Sequence, residues 1–149
     1  MQIDNADIYE NYIKDYKTKI LEMQELKNIL IKQFNSIVLW GAGMKGKAFL
    51  EIFDYEKQWI DFVVDIDDKK QGQLLPTGHE IKNAESITEN MVVIITNERL
   101  YPSICTTLVM KDYHMSKLRL LCVESYFDKR VSLDDLRSGR AWERKKYYD

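Results

Sequence analysis

The segment from Ile37 to Phe53 constrains the fold more than any other part of the chain. Ile37-Val38-Leu39-Trp40 is an unbroken apolar run, and it ends on Gly41-Ala42-Gly43-Met44-Lys45-Gly46. Residues 47–53 then carry apolar side chains at helical spacing. A run that is apolar at every position suits a strand covered on both faces, the condition of a parallel sheet. A second strand-like stretch, residues 60–64, apolar except at Asp61, closes on Asp65. Strand, glycine turn, helix and an acid about 20 residues on form the dinucleotide-binding fingerprint. Gly41 permits a tight turn, Gly43 lets a pyrophosphate approach the backbone, and Gly46 lets the helix pack closely on the strand. The helix start offers free N–H groups and partial positive charge to phosphates. An anion bound there would offset the cost of placing Lys45 and Lys47 in the first turn.

The remaining chain extends the alternation. Met91–Ile95 and residues 118–123 read as further buried strands, and Thr96-Asn97 caps a helix that has Pro102 in its first turn and runs to about Lys111. Residues 66–83 are polar, contain Gly72, Pro76 and Gly78, and read as a loop or small hairpin. Residues 84–87 suggest a short helical turn, and the charged tail a helix around residues 133–144. These elements predict an α/β, Rossmann-like fold, an open parallel sheet of four to five strands with flanking helices. Ahead of it, residues 7–34 lack Pro and Gly and place Ile8, Tyr12, Tyr16, Ile20, Met23, Leu26, Leu30 and Phe34 at helical intervals. Such a helix runs about 40 Å, more than a small domain readily covers. It either packs on the following domain or pairs with a second copy. The expected division is an N-terminal helix (1–35), a nucleotide-binding domain (36–125) and a helical tail (126–149).

In a parallel sheet, ligands bind beyond the carboxyl ends of the strands. The candidate binding residues are therefore Gly41, Ala42, Gly43, Met44, Lys45, Gly46, Asp65, Thr96 and Asn97. An acid at position 65 would accept bonds from ribose hydroxyls and favours NAD over NADP, with Lys69 and Lys70 moderating the preference. Capping the next helix is the competing role for Thr96 and Asn97.

Other features narrow the function. With 22 basic and 24 acidic residues the net charge is −2, too even for nucleic-acid binding by bulk charge. Cys105 and Cys122 cannot build a disulfide framework or a zinc cluster, and with no metal-ligand spacing elsewhere no metal is expected. Unpaired cysteines, no basic-then-apolar leader and no apolar stretch of about 18 residues predict a cytoplasmic protein without membrane contact. Tyr113-x-x-x-Lys117 has short-chain dehydrogenase spacing but precedes the fourth strand, so it is not assigned to catalysis. His79, in a Gly/Pro loop, and His114 are assigned to solvent or packing. No catalytic set emerges. At 149 residues the chain is also short for a complete dinucleotide-cofactor enzyme.

Three stretches, Val38–Lys47, Ile60–Asp65 and Lys70–Ile81, together resemble the Rossmann-like domains of bacterial surface-polysaccharide and nucleotide-sugar enzymes. One such group is the C-terminal domain of sugar C-methyltransferases. The other is the nucleoside-diphosphate-sugar epimerases and dehydratases with a CoA-binding-like N-terminal domain. The resemblance spans about residues 24–125 and implies a role in nucleotide-sugar metabolism with a nucleotide or nucleotide-sugar partner; beside the NAD favoured by Asp65, CoA and S-adenosylmethionine stay open as cofactors. It lacks the Tyr/Lys pair of the epimerases in its proper place, and the methyltransferases' S-adenosylmethionine domain would be a separate unit. Three functional readings follow: a nucleotide-binding module in glycan biosynthesis, a sugar-modifying enzyme completed by a homodimer or partner chain, and an interaction domain without ligand.

Overall fold

A computed structural model describes residues 5–114 and 117–143. Five parallel strands form one sheet in the order β3-β2-β1-β4-β5: β1 (Ser36–Trp40), β2 (Phe62–Val64), β3 (Ile81–Lys82), β4 (Met91–Ile95) and β5 (Arg119–Cys122). The helices are α1 (Asn5–Gln33), α2 (Met44–Phe53), α3 (Tyr101–Met110), α4 (Val123–Phe127) and α5 (Leu133–Ser138). The expected fold class is observed, with the long leading helix in place.

Alternation along the strands divides the core into two layers. Ile37, Leu39, Val63, Ile81, Val92, Ile94 and Leu121 face one side, where they meet Met23, Leu26 and Leu30 of α1, Phe49 and Leu50 of α2, and Leu136 of α5. Val38, Trp40, Phe62, Val64, Val93 and Ile95 face the other side and meet Ile104, Cys105 and Leu108 of α3. Both faces of the sheet are covered, which is why its central strands are apolar at every buried position.

One expectation is extended and two need correction. Of the loop or small hairpin expected over 66–83, the hairpin is seen, with Leu74 and Glu80 bridging antiparallel, and beyond it Ile81 and Lys82 add a fifth strand parallel to β2, pairing with Val63 and Val64. The strand expected over residues 118–123 gives way at Val123 to α4. The tail helix stops at Ser138, because Gly139 takes the left-handed conformation (φ 84°) and ends it; a 3-10 turn over Arg140–Glu143 follows. Residue 144 of the predicted helix lies outside the described residues.

Helix α1 is only half docked. Residues 10, 11 and 13–19 are exposed, and burial starts at Met23. The docked half is anchored by Tyr126, whose hydroxyl donates to the Glu22 carbonyl (2.6 Å), by Lys129 paired with the Glu22 carboxylate (2.9 Å), and by the Gln33 amide, which donates to the Leu136 carbonyl (2.8 Å). Burial pushes the Tyr126 hydroxyl up to about 12, and the nearby carboxylates of Glu22 and Glu25 add to the effect. Among the described residues, no helix is long and apolar enough to cross a membrane.

Below the sheet, Asp54 closes α2 and organises the approach to β2. Its Oδ1 accepts from the Gln58 (2.5 Å) and Trp59 (3.2 Å) amides, and its Oδ2 from the Ile60 amide (2.8 Å) and His79 Nε2 (2.9 Å). His79 Nδ1 meets the Thr77 hydroxyl at 2.6 Å. The sequence offered solvent or packing for His79. The ring is fully buried, so the solvent role falls and the packing role stands.

Candidate functional site

Register places the candidate loops side by side. Trp40 is the Cα partner of both Val64 and Ile95, and Ile95 of Cys122. Gly41, Asp65, Thr96 and Val123 therefore leave four neighbouring strands at one level. From β1 the chain crosses to β2 on one side, and β4 lies on the other, so the loops after β1 and β4 diverge at the switch point of the sheet. A crevice between such loops is where open α/β sheets take ligands.

The glycines serve three different needs. Gly41 adopts φ +105°, open in practice only to glycine, and its amide donates to the Val64 carbonyl at 2.7 Å. A Cβ on Gly46 would lie 2.0 Å from the Gly41 carbonyl oxygen, so α2 can lie against the turn only if this residue has no side chain. Gly43 has neither constraint: its φ is −84°, and a Cβ there would meet nothing within 4 Å. It is the N-cap of α2 without a side-chain cap bond, a position where Ser, Thr, Asp or Asn would satisfy an amide directly. The fold itself gives no reason for glycine at 43. The space above it is open, and Met44 beside it is 87% exposed.

Asp65 is tied into the turn. Its Oδ2 accepts from the Ala42 amide (2.8 Å) and its Oδ1 from the Asp67 amide (2.9 Å). The carboxylate of β2 thus holds the glycine turn of β1, a bond that the spacing of the fingerprint did not reveal. An ionised carboxylate has about four acceptor positions, so lone pairs remain for a ribose hydroxyl.

Asn97 does what its capping role predicts: its side chain accepts from the Arg99 amide at 3.3 Å, starting the 3-10 turn over Glu98–Leu100 that leads into α3. Thr96 is half-buried beside it. Lys45 extends toward Glu124, with 3.8 Å between Nζ and Oε1. Glu124 also accepts from the Glu98 amide (3.4 Å), while the Glu98 carboxylate holds Arg130 in a two-bond pair (2.6 and 2.8 Å). In the sequence Glu98 stands out only as a residue following a strand end and is not taken as a contact, and Glu124 and Arg130 were missed. The strand-end rule that found Thr96 would have found Glu124, one residue past Val123; the Arg130 pairing has no sequence signal.

Side chains for nucleophilic chemistry are unsuited at this edge. Burial pushes the Cys122 thiol up to about 12, with the Glu98 and Glu124 charges adding to it, so the thiolate that nucleophilic chemistry requires is suppressed. Tyr113 donates to the carbonyls of Ala84 (2.9 Å) and Ile87 (2.6 Å), a structural role. Among the described residues there is no group of His, Cys, Asp and Glu able to hold a metal.

The arrangement is thus a turn and helix start with open approach, flanked by two lysines and closed in by carboxylates from three further strand ends. Comparison with known proteins gives a consistent answer at the level of family. No curated protein and no solved structure matches the chain. The model of the C-methyltransferase C-terminal domain matches residues 1–98, which include α1, the glycine turn, Asp65 and β4. The chain belongs to the C-methyltransferase C-terminal domain family.

Proposed function

We propose that this domain binds the nucleoside diphosphate portion of a nucleotide-sugar at the turn Gly41–Gly46, presenting the sugar for modification within a bacterial glycan pathway. The observation that carries the reading is Gly43. Gly41 is required by its backbone angle and Gly46 by its contact with the Gly41 carbonyl, whereas Gly43 is required by nothing inside the chain. A diphosphate seated on the amides of the α2 start supplies the missing reason, since any side chain at 43 would occupy its approach. Lys45 and Lys47 add charge of the right sign. Asp65 and Asn97 would flank the nucleoside.

Membership in a C-methyltransferase family brings S-adenosylmethionine into the reaction class as methyl donor. The residues at the turn suit that group less well: its sulfonium is a cation, and the helix start beside two lysines disfavours cations. The domain is accordingly assigned to the acceptor. NAD receives no support from the family and serves as a competitor in the test. Titration calorimetry with a nucleoside-diphosphate-sugar should show saturable binding that Gly43→Val abolishes while the circular dichroism is unchanged, because a Cβ at 43 meets no protein atom within 4 Å. Equal affinity in the two proteins would remove the turn as the site. A second reading, an interaction domain without ligand, draws on Asp65, both of whose oxygens already serve the fold. It would prevail if nucleotide-sugars, NAD, CoA and S-adenosylmethionine all failed to raise the melting temperature, since ligand at 100 times its dissociation constant adds about 2.7 kcal/mol.

A further inference from the structure

We infer that the undocked half of α1 is a self-association surface, and that its occupant is the same segment of a second copy lying antiparallel. The argument begins with spacing. Ile13, Tyr16, Ile20 and Met23 follow one another at intervals of three, four and three, the seam of a two-helix contact. Met23 is buried in the domain core, Ile20 is half-buried at its edge, and Ile13 and Tyr16 continue the seam into solvent at 49% and 47% exposure. The docked half of the helix thus hands its apolar stripe to a half with no domain beneath it. Packing of an apolar face, rather than propensity, is what stabilises most helical segments.

Charge decides between partners. In an antiparallel pair whose two-fold axis passes between Ile13 and Tyr16, Ile13 of each copy lies against Tyr16 of the other. The flanking positions then bring Glu10 of each copy beside Lys17 of the other. Among the described residues, neither Glu10 nor Lys17 makes an ion pair within its own chain, whereas the neighbouring Lys19 is already engaged by Asp15 (3.5 Å) and rests over the Phe127 ring. Two apolar layers and two complementary ion pairs therefore arise from a single register, and both follow from the same symmetry operator. A parallel pair does not bring Glu10 and Lys17 together.

The contact is short, so the dimer is expected to dissociate in the micromolar range rather than to be permanent. Sedimentation velocity on the full 149-residue chain tests it, with no dependence on any nucleotide. The expected result is a concentration-dependent monomer–dimer equilibrium. Glu10→Lys should weaken it about tenfold, because two attractive pairs become repulsive. Lys17→Glu should do the same, and the double variant should restore the original affinity. Ile13→Gln with Tyr16→Gln should abolish the dimer while leaving the melting temperature unchanged, since both side chains lie outside the core. A strict monomer at high micromolar concentration, a dimer that survives the two glutamines, or a charge swap that fails to restore association would each overturn the proposal.

Discussion

Asp54→Ala should be among the most damaging single substitutions in the chain, although it lies at the opposite end of α2 from the glycine turn. The carboxylate is buried and accepts four bonds, from the amides of Gln58, Trp59 and Ile60 and from His79. Gln58 is exposed and can turn to water, but Trp59, Ile60 and His79 are buried. Each buried donor left without a partner costs about 1–3 kcal/mol. Taking the lower half of that range for three donors gives a loss of roughly 3–6 kcal/mol. That is comparable with the whole stability of many domains, about 5–15 kcal/mol. Asp54→Asn retains one acceptor oxygen and turns an NH2 group toward the other donors, so it should cost less than the alanine but still more than about 1 kcal/mol. The assay is urea unfolding followed by circular dichroism at 25 °C, with His79→Ala and the double variant completing a cycle. Residues sharing such a network should couple by about 0.5–3 kcal/mol. An alanine variant within about 1 kcal/mol of the native chain would refute the view that this carboxylate organises the segment from Asp54 to Ile60.

Two other expectations are simpler. Gly46→Ala puts a Cβ 2.0 Å from the Gly41 carbonyl and must push α2 off the turn, so it should lower the melting temperature strongly, whereas Gly43→Ala should barely change it; differential scanning calorimetry of the pair separates packing from binding. Alkaline conditions should also destabilise the fold. Burial holds the pKa values of Cys122 and Tyr126 in the folded state at about 12, above the ordinary 9.0 and 10.0. The unfolded chain releases these protons first, so stability is intact below about pH 9 and declines as the pH rises toward 12. Cys122→Val should flatten the first part of that decline in urea midpoints measured between those limits; an unchanged slope would remove the thiol as a cause.

The legibility of this chain in its sequence follows the reach of the forces involved. β1, α2, β4 and α3 were readable because their signals are local: apolar runs covered on both faces, helical spacing, a capping Asn97 and Pro102. β3 was not, because Ile81 and Lys82 form a strand only where β2 offers a ladder, and they lie in a stretch rich in glycine and turn formers. α4 was hidden for the opposite reason. Val123 extends the apolar run of β5 without a break, and the helix begins with no side-chain cap to announce it. The turn and its acid were legible by spacing, but the bond between them was not. The same holds for the burial of His79, which depends on a carboxylate 25 residues away, and for the Glu98–Arg130 pair, 32 residues apart. Pattern rules describe what a residue prefers; these contacts depend on which residue the topology brings opposite.

The bond from Ala42 to Asp65 has a consequence for altering this domain. The carboxylate that would read a ribose in the proposed complex also holds the turn on which the ligand's phosphates would rest. Under that reading, specificity and geometry would be vested in one side chain. Replacing Asp65 to admit a different nucleotide would release the Ala42 amide and loosen the turn, so affinity for every ligand should fall before any new preference appears. Redesign would have to begin by giving Ala42 another acceptor.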